Sequence, residues 1–187
     1  GAECVSGGSV PDEPDTIAAR IAAAAEEYDL VVTTGGASVG DYDYAVRASE
    51  RAGAEVMFWK TSMKPGGSMA AARKGKTVIL SLSGNPGAAC IALLRVCSPL
   101  VKRLCGRSDF ALRPMTVRLK NGLPKKSVKQ RILRGYLSIE NGEAWFVPTE
   151  GQGNGVVSSL LGSDMLGEIP AGSPPQPEGA LITAYRI

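Results

Sequence analysis

The run LVVTTGGASVGDYDYA, Leu30 to Ala45, passes from a greasy strand into a glycine-rich bend and then directly into two acids, Asp41 and Asp43. "LVVTT" is a short, continuous apolar segment of the kind buried on both faces of a sheet. A strand, a glycine loop and a following helix present exposed amides and a positive helix end, which favour an anion. The loop fits neither the GxGxxG fingerprint nor a P-loop, because the lysine of GxxxxGK is missing. A merely tight strand-to-helix turn accounts for the glycines about as well.

Working outward, Pro14 follows Asp12 and Glu13 at a helix start. Ile17, Ile21, Ala24 and Tyr28 then recur at helical spacing. After the glycine loop, Tyr42–Ala52 reads as a helix stopped by Gly53, and "AEVMFWK" as the next strand. "MAAARKGKTVILSL" reads as a hairpin turned at Gly75, and "SGNP" opens a long helix from Pro86 to about Cys105. "AECVS" near Gly1 also has a strand-like pattern. Alternating strands and helices predict an α/β domain with a mostly parallel sheet, and ligands gather at the edge where such strands end. The loops 33–41 and 83–87 both fall there and are expected to converge on one site.

Beyond residue 110 the helix signals vanish, apart from a turn near Val156–Leu161. "MTVRLK", "QRILRGYLSI", "EAWFVP" and "ALITAYRI" are short β-type runs. Asn121-Gly122 and Asn141-Gly142 carry the strongest short hairpin signal. The expected organisation is an α/β domain over 1–108 and a small all-β barrel domain over 109–187.

Composition excludes more than it assigns. The chain has 187 residues, 21% of them charged, and a net charge of +3, too weak a bias to argue for nucleic acid. The cations between Lys120 and Arg134 read as a solvated basic face. No apolar run approaches the roughly 18–20 residues of a membrane span. There is no histidine, which removes the usual general base and most transition-metal sites. Chemistry must run on carboxylates, lysines, hydroxyls, backbone amides and oxygen-bound cations such as Mg²⁺. Cys90, Cys97 and Cys105 lie seven and eight residues apart in a helical pattern, which stacks them as small core residues on one face.

Asp41 and Asp43 suit a helix N-terminus, which explains one acid better than two. With Asp12 at another turn into a helix, the acids also make sense if a divalent cation bridges them to a phosphate ligand. Lys60 and Lys64 in "FWKTSMKPGG" are either ordinary surface lysines or cations placed to neutralise an anion. Trp59 reads as core.

Taken together, "TTGGASVGDYDY", "FWKTSMKPGG" and "SLSGNPGAA" resemble the signature blocks of the MoeA family of molybdenum cofactor biosynthesis, related to the gephyrin E domain. The tail "GQGNGVVSSLLGSDMLGEIPAG" is similar to that family's last domain. The resemblance implies a three-layer MogA-like domain, truncated at its N-terminus, followed by a β-barrel. It implies insertion of molybdate into adenylylated molybdopterin with Mg²⁺ and release of AMP. By motif position it implies functional roles for Asp12, Asp43, Lys60 and Lys64, with Asp43 and Asp12 on the metal. It implies pterin contacts from Gly35, Gly36, Ser38, Gly40, Asp41, Ser83, Gly84, Asn85 and Pro86. A cytoplasmic homodimer, with a MogA-type protein as a further partner, is implied for the full-length protein, and no nucleic acid or membrane partner. The sequence departs from the family pattern at Gly67, Ser68 and Ser83, and at Gly87–Ala89 after the GNP step. A non-catalytic pterin- or peptide-binding module of gephyrin type is the alternative.

Overall fold

A computed structural model describes residues 1–35, 44–153 and 155–187. The chain forms two compact units. The first comprises Gly1–Thr61 with Gly66–Phe110, and the second Ser62–Pro65 with Ala111–Ile187.

In the first unit, α1 (Pro14–Glu27) leads into β1 (Leu30–Thr34), α2 (Tyr44–Arg51) and β2 (Glu55–Trp59). Gly53 ends α2 with φ +79°, and Ala54 N–H reaches back to the Ser49 carbonyl at 3.0 Å. A side chain is strained in that left-handed conformation, which is why the glycine stops the helix there. β4 (Ala70–Lys74) and β5 (Thr77–Leu82) form the hairpin turned at Gly75. The strand order is β1-β5-β4-β2, with β1 parallel to β5 and β4 antiparallel to both of its neighbours. The sheet is therefore mixed. Because the hairpin reverses only β4, three strands still run in one direction, and β1, β5 and β2 all end at the same edge.

Val31, Ile79, Ala72 and Val56 lie opposite one another across the four strands. They pack with Ala18 and Ile21 of α1 and Ala48 and Ala52 of α2 into one core. Small alanines let the helices approach the sheet closely. Thr77, fully buried, shares its hydroxyl proton between the Ala25 and Tyr28 carbonyls at 2.8 and 2.7 Å, which fastens the end of α1 to the start of β5.

Four local expectations change. Residues 1–13 form no helix or strand, and Val5 is 56% exposed. "AECVS" has the alternation of a strand but pairs with no strand among the described residues. The helix from Pro86 is α3 (Pro86–Ala92), a π-turn over Leu93–Cys97 and α4 (Ser98–Leu104). The wider turn shifts the helix register, and Cys105 caps the end of α4. Only Cys97 is buried, while Cys90 is half-buried and Cys105 exposed. Trp59 is not core either, since it is 46% exposed.

In the second unit, β6 (Pro114–Leu119), β7 (Gln130–Glu140), β8 (Glu143–Pro148), β9 (Met165–Ile169) and β10 (Leu181–Arg186) close into a five-stranded barrel. The first half of β7 pairs with β9 and the second half with β8, changing partner at Gly135. Phe146 fills the centre, fully buried, against Gly135 and Gly167. β3 (Met63–Lys64) pairs in parallel with the start of β7.

Asn141-Gly142 turns the β7–β8 hairpin with both φ values positive, as a type I′ turn requires. Asn121-Gly122 is not a hairpin. β6 pairs with β10 and β8, and Gly122 exists for close packing, because a Cβ there would lie 2.6 Å from the Gln176 carbonyl oxygen. The basic face also loses a member. Arg134 is fully buried, and its Nη2 donates to the Gly151 and Gly153 carbonyls at 3.2 Å each. Its Nε and Nη1 have no partner among the described residues, and desolvation pushes its pKa down.

Candidate functional site

The strand directions decide which sequence blocks share an edge. Thr34 and Leu82 end β1 and β5 side by side. Gly35 continues with φ +92°, and its N–H donates to the Leu82 carbonyl at 3.2 Å. Gly84 then passes so close that a Cβ on it would sit 3.3 Å from the Gly35 Cα. Gly35 and Gly84 thus meet backbone to backbone, and a side chain at position 84 must push them apart. Below the junction, the Thr33 hydroxyl donates to the Ser81 hydroxyl at 3.1 Å.

The loop after β5 is shaped by its own side chains. Asn85 N–H donates to Ser83 Oγ at 3.2 Å, and Asn85 Oδ1 accepts from Ala88 N–H at 3.4 Å as the N-cap of α3. Pro86 occupies the first turn, where its missing N–H costs nothing. Ser83 and Asn85 are half-buried, Gly84 and Pro86 exposed. The loop therefore presents a helix start to the edge where Gly35 leaves β1. Gly36, Ser38, Gly40, Asp41 and Asp43 lie outside the described residues.

Lys60 follows β2 at that same edge. Trp59, Ala70, Ser81 and Thr33 form one row across the sheet, so Lys60 stands three strands from Thr34, roughly 14 Å away at normal strand spacing. Its φ is +65°, rare for a residue with a side chain. The backbone is held there by Lys60 N–H on the Met69 carbonyl and Thr61 N–H on the Gly67 carbonyl, both 2.9 Å. Lys64 is exposed on β3, in the second unit. Asp12 is exposed ahead of α1 and makes no hydrogen bond or ion pair among the described residues. At that helix start the Thr16 hydroxyl donates to Glu13 at 3.0 Å, and Asp15 pairs with Arg51 of α2 at 2.7 Å. No three acids, cysteines or histidines gather as a metal site among the described residues.

Fold and loops define the class: an α/β protein whose two glycine loops meet at one sheet edge, with an appended closed β-barrel. Residues 1–103 match the family described as "Probable molybdopterin binding domain", and residues 116–187 match "MoeA C-terminal region (domain IV)". The chain belongs to the MoeA family of molybdenum cofactor biosynthesis. It is 30% identical over 162 residues to a molybdopterin molybdenumtransferase of Staphylococcus aureus, covering 87% of this chain and 39% of that protein. It is 27% identical over 181 residues to the Bacillus subtilis molybdopterin molybdenumtransferase, covering 96% of this chain and 42% of that protein. The chain therefore spans about two fifths of the length of these relatives. The same fold occurs in a molybdopterin biosynthesis MoeA protein of Pyrococcus horikoshii, with a TM-score of 0.73 and 24% identity over 94% of this chain and 41% of that one.

Proposed function

We propose that this chain supplies pterin- and oxyanion-handling residues of a molybdopterin molybdenumtransferase, which inserts molybdate into adenylylated molybdopterin and releases AMP. The observation that carries the reading is the junction of Gly35 with Gly84. It sets the end of β1 against the loop Ser83–Gly84–Asn85–Pro86, at the edge that also carries Lys60. Backbone amides at the strand end and the start of α3 suit a phosphate, which needs donors rather than a counter-charge alone. Lys60 and Lys64 attract an oxyanion, and Gly36, Ser38, Gly40 and Asp41 extend the pterin loop.

Mg²⁺ is the cation that the family resemblance brings with it, through Asp12 and Asp43. Asp12 is exposed ahead of α1, and Asp43 lies outside the described residues. No helix among the described residues is long and apolar enough to cross a membrane. A cytoplasmic setting, a homodimer and a MogA-type partner complete the proposal.

The test is direct. A protein carrying this chain at its relatives' length is given adenylylated molybdopterin, Mg²⁺ and molybdate. AMP release and metal insertion are expected, and Asp43→Asn abolishes both without lowering the unfolding temperature. A protein that binds the pterin but releases no AMP overturns the transferase reading in favour of a gephyrin-type binding module. Gly67, where the family pattern has a lysine, is the residue that favours the module.

A further inference from the structure

We infer that Trp59 is a positioning residue for Lys60, holding its ammonium in place at the loop edge before any ligand arrives. The inference rests on Lys60 being an oxyanion contact, and it adds a residue that the motif leaves unspecified.

The first observation is the contact itself. Lys60 Nζ lies 4.0 Å from the centroid of the Trp59 ring, within the range where an aromatic face attracts a cation. Among the described residues, no carboxylate forms an ion pair with Lys60. An ammonium carries three N–H donors, and a ring face engages one side of it, so the others stay available to an anion.

The second observation is how Trp59 comes to be there. In β2 the register shifts between Val56 and Phe58, a bulge with Met57 as the extra residue. Val56 opposes Ala72, and two residues further along β4 the partner of Ala70 is Trp59. In a regular strand that place, two residues beyond Val56, belongs to Phe58, because side chains alternate between faces. The bulge therefore puts the indole on the face shared with Thr33 and Ser81. Bulges commonly re-aim a side chain beside a site.

The third observation is the backbone of Lys60. A left-handed φ of +65° turns the lysine stem away from the strand path, and the hydrogen bond to Met69 keeps it there. Backbone and ring together restrict a side chain that otherwise carries the largest rotamer entropy of the common residues. An anion reaching the edge then meets an ordered cation.

The test uses the 187-residue chain with sodium molybdate as the probe. Trp59 is 46% exposed and lies outside the buried cores, so Trp59→Leu is expected to keep its unfolding temperature within a few degrees. The Lys60 ε-methylene protons should show an upfield ring-current shift by NMR, lost in Trp59→Leu and partly kept in Trp59→Phe. Molybdate affinity by titration calorimetry should fall about two- to five-fold in Trp59→Leu, recover in part in Trp59→Phe, and vanish in Lys60→Met. Equal affinity in wild type and Trp59→Leu overturns the positioning role and leaves the Lys60 reading intact. A ring-current shift with no molybdate binding by the wild type overturns both. A merely structural tryptophan would leave the molybdate affinity unchanged.

Discussion

A methyl group added to Gly84 would stand 3.3 Å from the Gly35 Cα, closer than most side-chain carbons approach a backbone atom. Gly84→Ala must therefore move one loop by a few tenths of an ångström. We expect a small stability loss, about 1 kcal/mol. Pterin affinity should fall more steeply, by about tenfold, the equivalent of 1.4 kcal/mol. Denaturant unfolding alongside a binding titration separates the two effects. Equal losses in both would mean that the junction is only a packing contact.

The barrel centre offers a paired prediction. A Cβ on Gly167 would come nearest the Phe146 ring, at 2.8 Å, whereas one on Gly135 would collide with the Val147 carbonyl oxygen as well as with that ring. Gly167→Ala and Gly135→Ala should each destabilise the protein by more than about 2 kcal/mol. Adding Phe146→Leu should rescue the first and not the second, because trimming a ring cannot move a strand carbonyl. A double-mutant cycle by chemical denaturation reads the difference.

Thr77→Val keeps the shape of a fully buried residue and removes its hydroxyl. The Ala25 and Tyr28 carbonyls then lose a donor at the end of α1. A cost of about 1–3 kcal/mol is expected, and hydrogen exchange should show the last turn of α1 opening first.

Burial pushes the Cys97 thiol from an ordinary 9.0 up to about 11. Its folded form thus holds a proton that the unfolded chain gives up. The resulting stability is complete below pH 9 and is lost as pH rises toward 11, on the order of 1–2 kcal/mol. Cys97→Ala should flatten that part of the stability–pH profile. At pH 8 a thiol reagent should label exposed Cys4 and Cys105 well before Cys97.

The sequence was most legible where local chemistry decides the outcome. Gly53 ends a helix because of its own φ, Pro86 and Asn85 start one by capping, and Asn141-Gly142 closes a hairpin by its own turn type. What it hid depends on a distant partner. The bulge at Met57 is defined only against β4, so the aromatic pair Phe58-Trp59 could not be assigned to faces. Asn121-Gly122 has hairpin chemistry, yet its glycine answers to the carbonyl of Gln176. Arg134 looked like one more surface cation because nothing beside it in sequence marks the loop that buries it. Of the candidate site, Gly35, Ser83 and Lys60 fall on the one edge that strand order demands. Asp12 lies ahead of α1, and no strand pairing fixes its place.

Residues 62–65 leave the first unit, lend the second a strand beside Gln130 and Arg131, and return at Gly66. The chain thus changes unit after Thr61, after Pro65 and again after Phe110. A crossover at residue 110 would carry the barrel away without the strand that borders β7. Substitutions in the FWKTSMKPGG block therefore touch residues of both units.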